Sequence, residues 1–160
     1  GERKARGLTC GAIAVVCVDV AQASMIDREE GIKAGFEEVY GADASNFKFL
    51  ATIQDNDQPS EYKKQLEGYI SANKDLVTVF SLGSEGPDVG VMSAIESQGK
   101  SGEILHYGFD YTDTWLKGIE DGRITAIVDQ DAYQIGYQVI ENLVKAIDGE
   151  EIDKTIPIDV

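Results

Sequence analysis

Asp110, Asp129 and Gln130 stand where two short apolar runs, residues 104–109 and 124–128, give way to polar side chains. A carboxylate accepts two or more hydrogen bonds, and a carboxamide both donates and accepts, so such a set suits a ligand that presents many hydroxyls. Polar groups end the other apolar runs as well: Asp19 and Gln22, then Asp55, Asn56 and Asp57, then Ser84 and Glu85. Phosphate is poorly served by so acidic a rim. Gly83, Gly86 and Gly90 have the spacing of neither a dinucleotide fingerprint nor a P-loop, which weakens flavin and nucleotide readings.

These side chains need elements to carry them. The apolar runs at 12–18, 47–53, 76–82, 103–109 and 123–128 are too short for helices and are rich in β-branched residues, so they predict strands buried on both faces. Helical spacing recurs between them. Ile32, Phe36 and Val39 predict a helix over 26–40, and Tyr62, Leu66, Tyr69 and Ile70 predict one capped by Ser60. Val89, Met92 and Ile95 predict a third, with Pro87 at its first position, and further helices are expected over 112–120 and 132–147. A final extended segment covers 155–160. Strict alternation of strand and helix implies right-handed βαβ units: a flavodoxin-like three-layer α/β sandwich with a parallel five-stranded sheet in the order 2-1-3-4-5. Open parallel sheets bind ligands beyond the C-terminal ends of their strands, which puts Asp110 and Gln130 side by side on one rim.

At 160 residues the chain is long enough to bury a core without disulfides, and an apolar fraction of 42% is ordinary. The net charge of −15 is not, and it argues against nucleic acid as a partner, because a phosphate backbone calls for clustered Lys and Arg. Cys10 and Cys17 flank the first strand, about 23 Å apart at 3.3 Å per residue, too far to bridge. No apolar run approaches the length of a membrane span, and the first residues show no signal-peptide pattern.

Chemistry beyond binding finds little support. A phosphorelay receiver has the same strand order but needs an Asp ending its third strand and a Lys ending its fifth. Here those strands run into Leu82-Gly83 and Asp129-Gln130. His106 is the single histidine and lies within a strand, so a structural role is favoured over a catalytic one. Asp129 and Asp131 flank Gln130 without His or Cys beside them and read as solvated acids rather than a metal pair. Trp115, the only tryptophan, reads as packing. No cofactor is implied. A small flavodoxin-like enzyme using the Asp110–Gln130 rim is the alternative from a different class.

Several segments together resemble the second lobe of a type I periplasmic sugar-binding protein, whose architecture is shared by effector domains of lactose-repressor-like regulators. Arg28-Glu29-Glu30-Gly31 is similar to the Arg-x-x-Gly start of that lobe's first helix, with Ile32 in place of an aromatic. Residues 83–99 resemble the helix-entry loop and its helix. Tyr107-Gly108-Phe109-Asp110 matches the family's Gly-Phe-Asp, residues 119–124 its Ile-x-x-Gly-x-Ile, and residues 128–137 its Asp-Gln signature ahead of a helix.

The resemblance implies capture of a small sugar-like ligand between two hinged lobes, with no chemistry, by a periplasmic or extracellular protein that meets the membrane through the permease of an ABC transporter. An effector lobe of a transcription regulator or sensor kinase is the neighbouring reading. Asp110 and Gln130 are the implied ligand residues, followed by Asn56 or Asp57 and Ser84 or Glu85. Arg28 matches the structural arginine beside the family's sugar-clamping one, whose place falls at Ile26. The implied layout is a binding lobe over 1–130 and, over 131–160, a hinge-crossing helix and terminal strand that would pack on an N-terminal lobe this chain does not contain. That helix carries Ile135, Val139, Ile140, Leu143, Val144 and Ile147 on one stripe, and each aliphatic side chain gains about 1.5–3 kcal/mol on burial. The stripe is therefore expected to pack back on this sheet or against a second copy of the chain.

Overall fold

The computed structural model describes Gly7 and residues 9–83, 85–153 and 155–158, without the side chain of Glu85. The chain divides into two compact units, one reaching to Ile127 and the other beginning at Val128.

The apolar runs form strands β1 (Gly11–Cys17), β2 (Phe47–Phe49), β3 (Ile53–Gln54), β4 (Leu76–Ser81), β5 (Leu105–Phe109) and β6 (Ala126–Val128), the last ending on the first residue of the second unit. They order as β2-β1-β4-β5-β6, with β3 pairing β1 beyond the end of β2. Gly11 pairs with Phe47 and Val16 with Ile53, both in parallel, so β2 and β3 are two pieces of one edge strand. Counted that way, the predicted order 2-1-3-4-5 is the one found. The predicted unbroken strand over 47–53 parts at residues 50–52, where the Leu50 amide still reaches the Ile13 carbonyl but the regular ladder lapses.

Alternate residues of β1 face opposite sides. Ala12, Ala14 and Val16 pack with Leu66 and Ile70 of α2 (Pro59–Ala72) and with Val91 and Ala94 of α3 (Glu85–Ser97). Val15 and Cys17 pack with Met25 and Ile32 of α1 (Ala23–Tyr40), alongside Phe49, Phe80 and Phe109. A third cluster joins Met92 of α3 to Trp115 of α4 (Asp113–Glu120) and to Ile124. Trp115 is fully buried and its ring lies over Gly108, where a Cβ would stand 1.9 Å from it. Thr112 caps α4 by accepting from the Trp115 amide at 3.2 Å.

Three helix starts differ from expectation. α1 begins three residues early, because Gln22 already accepts the Ile26 amide. α2 starts at Pro59, which fits a first helical position, so Ser60 lies inside the helix and Gln58 holds the cap position. α3 starts two residues ahead of Pro87. Both cysteines are free thiols, and burial raises the Cys17 thiol to about 11.

In the second unit, α5 (Ala132–Ile147) is capped by Asp131, which adopts φ 45° and accepts from the Gln134 amide at 3.0 Å. All six stripe residues are exposed, from 43% at Ile135 to 75% at Ile147. One side of the helix meets Ile152, Ile156 and Ile158 around a groove of about 480 Å³. Residues 155–158 pair with no strand among the described residues, and residues 159 and 160 lie outside the described residues.

Candidate functional site

Arg28 lies one turn into α1 and sends its guanidinium to the ends of two strands. Nη1 donates to the Leu82 carbonyl at 2.5 Å, Nη2 stands 3.8 Å from Asp110 Oδ1, and the guanidinium carbon lies 4.7 Å over the Phe109 ring. Gly83 makes room for it. A Cβ there would approach Nη1 to 2.7 Å, and the residue's φ of 119° already favours glycine. Asp110 itself takes φ 70°, an uncommon conformation that Asp tolerates better than most residues, and its side chain is 39% exposed. The arginine is much the less exposed of the two, at 16%. A guanidinium held by a carbonyl, a carboxylate and an aromatic face is fixed in orientation, and part of it and of Asp110 still faces water.

Beyond β3, Asn56 is exposed and lies between two tethered neighbours. Asp57 takes φ 61°, and its Oδ1 accepts from the Gly86 amide at 3.1 Å, while the Asp55 carbonyl accepts from both the Asp57 amide and the Tyr62 hydroxyl. The Gln54 carboxamide oxygen accepts from the Val20 amide at 3.0 Å, and Asp19 accepts from the Ala21 amide at 2.9 Å. Ser84 and the side chain of Glu85, both predicted site groups, lie outside the described residues. Gln130 belongs to the second unit, is exposed, and donates its amide to Asp129 at 2.8 Å. Within the first unit, then, the predicted residues Arg28 and Asp110 meet directly, and Asn56 and Asp57 share one loop.

His106 is buried on the β5 face toward Trp115, with its ring centroid 5.2 Å from the indole and Nε2 at 2.8 Å from the Ser81 hydroxyl. Burial lowers its pKa to about 3, so it is neutral at pH 7 and belongs to the core. A concavity of about 220 Å³ beside α1, lined by Cys17, Val20, Met25, Ile26, Glu29 and Lys33, contains none of the predicted site residues. Sequence reasoning missed two participants. Phe109 supports the guanidinium, and Tyr62, expected only as part of a buried stripe, puts its hydroxyl at the strand ends. Nothing in the residue pattern indicates where that hydroxyl points.

A parallel sheet whose C-terminal strand ends carry carboxylates, an amide loop and a braced arginine defines one lobe of an α/β ligand-binding protein. The chain belongs to the periplasmic binding protein domain family, whose model matches residues 2–151. It is a family of binding proteins, not of enzymes. The ribose import binding protein of Escherichia coli K12 is 28% identical over 138 residues, covering 83% of this chain and 43% of that protein. An ABC transporter solute-binding protein from Agrobacterium vitis, solved with bound D-fucose, is 27% identical with a TM-score of 0.74, over 91% of this chain and 48% of that one. A glucose-galactose binding protein from Geobacillus stearothermophilus shares the fold, with a TM-score of 0.81 at 14% identity, over 99% and 54% of the two chains. The chain thus spans less than half the length of the curated relatives it matches.

Proposed function

We propose that this chain is the second lobe of the substrate-binding component of an ABC-type sugar importer, holding a small polyhydroxylated ligand without altering it. The observation that carries the reading is the Arg28–Asp110 pair at the ends of β4 and β5. Fixed donors and a half-exposed carboxylate side by side match the alternating donors and acceptors of vicinal hydroxyls. Asn56 adds an amide from the neighbouring loop, and Gln130 is assigned a second amide at the hinge. Asp57 takes part by holding its loop through Gly86, and Ser84 and Glu85 complete the set after β4. The relatives named for ribose import and the structure holding D-fucose support this ligand class. Partners follow from the same reading: a first lobe to close over the ligand, and a membrane permease to receive it, outside the cytoplasmic membrane.

One lobe offers half the contacts and no closure, so the chain alone should bind in the millimolar range at best. Isothermal titration with pentoses, hexoses and inositols, paired with amide chemical shifts, is the test. Small shifts at Asp110 and Asn56 with tens of millimolar sugar support the reading. Micromolar affinity would mean the site is not divided between two lobes, and no shift with any polyol would remove the sugar assignment.

A further inference from the structure

We infer that Tyr62 and Asp57 are positioning residues that fasten the Asn56 loop to the ends of β1 and α3, an inference that rests on the sugar-binding reading of the rim. Tyr62 is the fourth residue of α2 and is completely buried. Packing alone would be served as well by Phe, and a buried hydroxyl is costly unless it is bonded. This one has two acceptors for its single proton: it donates to the Asp55 carbonyl and lies 3.1 Å from the Cys17 carbonyl. Those carbonyls end two strands that pair through Cys17 and Gln54, so a single phenol ties both strand ends to α2. Burial raises the phenol to about 12, which keeps it a donor throughout the physiological range.

Asp57 makes the second tie. Its left-handed backbone turns the carboxylate onto the first turn of α3, where Oδ1 takes the Gly86 amide. No other residue fits at 86, since a Cβ would stand 2.1 Å from that oxygen. Gly90 lies one turn further along the same helix face, and a Cβ there would come within 2.6 Å of both the Tyr62 Cβ and the Pro59 carbonyl. Two glycines four residues apart therefore seat α3 directly on Asp57 and Tyr62. Asn56, exposed between the two anchored residues 55 and 57, is presented already ordered, which spares a ligand the entropy of fixing that loop.

Amide hydrogen exchange on the whole chain, followed by NMR, tests the inference without a ligand. Tyr62→Phe should speed exchange at the Asp57 and Gly86 amides by at least about tenfold relative to the core amides of Val15 and Val79. Asp57→Ala should do the same at Gly86, and Asp57→Asn, which keeps an oxygen acceptor, should restore protection. Exchange that rises equally at core and loop in Tyr62→Phe, or an unaffected Gly86 in Asp57→Ala, would overturn the brace. D-ribose titration of the wild-type chain, read at the Asn56 amide, separates the two readings. Loop-selective exchange with no shift from ribose or from any other polyol of the panel removes the sugar assignment and upholds the brace. A ribose shift that weakens in Tyr62→Phe supports both.

Discussion

Arg28 and Asp110 stand 3.8 Å apart at the strand ends, and the same guanidinium donates to the Leu82 carbonyl and lies over the Phe109 ring. Three weak-to-moderate contacts converge on one side chain. The ion pair, with its carboxylate 39% exposed, adds little on its own, so the carbonyl bond and the aromatic face supply most of the stabilisation. Arg28→Ala should lower unfolding free energy by about 1–2 kcal/mol in urea titration. Arg28→Lys should recover at most half, because an ammonium cannot keep the forked geometry. Full recovery by Lys would show that charge alone holds the arrangement.

Much of this was legible in the chain. Runs such as 12–18 and 76–82, rich in β-branched residues and bounded by polar turns, specify buried strands, and their alternation with helical periods leaves few topologies. The Gly-Phe-Asp run closes β5 on Phe109 and sets Asp110 directly beyond the strand end, the rim position that the pattern implies. Less legible was anything set by side-chain direction at long sequence separation. Arg28 reaches a carbonyl 54 residues away, and Tyr62 reaches one 45 residues away, and neither contact leaves a periodic trace. The edge strand broke at residues 50–52 because pairing with β1 is its only ladder, and an edge tolerates lapses that a central strand does not.

Gly108 should be intolerant of a side chain. Trp115 is rigid, buried and 1.9 Å from where the Cβ of an alanine would lie, so Gly108→Ala must displace the indole. A cost of about 1–3 kcal/mol is expected, typical of overpacking. Because Trp115 is the only tryptophan, its emission reports the event directly. The wild-type spectrum should be blue-shifted and resistant to iodide, and the variant's should move to the red. An unmoved spectrum would place the ring elsewhere.

His106 predicts an acid-side loss of stability. Burial lowers its folded pKa to about 3 from an unfolded value near 6.5, so the unfolded chain binds the proton more readily than the folded one. Stability from this group is complete above about pH 6.5 and falls as the pH drops toward about 3, by about 2 kcal/mol at pH 5. Nδ1 has no hydrogen-bond partner among the described residues, so no acceptor compensates a charge placed there. Unfolding midpoints at pH 7 and pH 5 should converge for His106→Asn far more than for wild type. Equal pH sensitivity in both would assign the loss to carboxylates instead.

α5 leaves Val139 and Ile140 each 60% exposed, with Leu143 and Val144 each at 51%. Water contact over such a stripe is costly, and a soluble monomer rarely keeps an apolar patch of this extent uncovered. A second copy of the chain is one cover that such a stripe would fit. Light scattering coupled to size exclusion should show mass rising with concentration toward a dimer. Ile140→Lys with Val144→Lys should hold the chain monomeric without shifting its unfolding midpoint under dilute conditions, since neither side chain is buried in the monomer. A wild-type chain that stays monomeric up to hundreds of micromolar would mean that the helix tolerates water contact and that self-association plays no part.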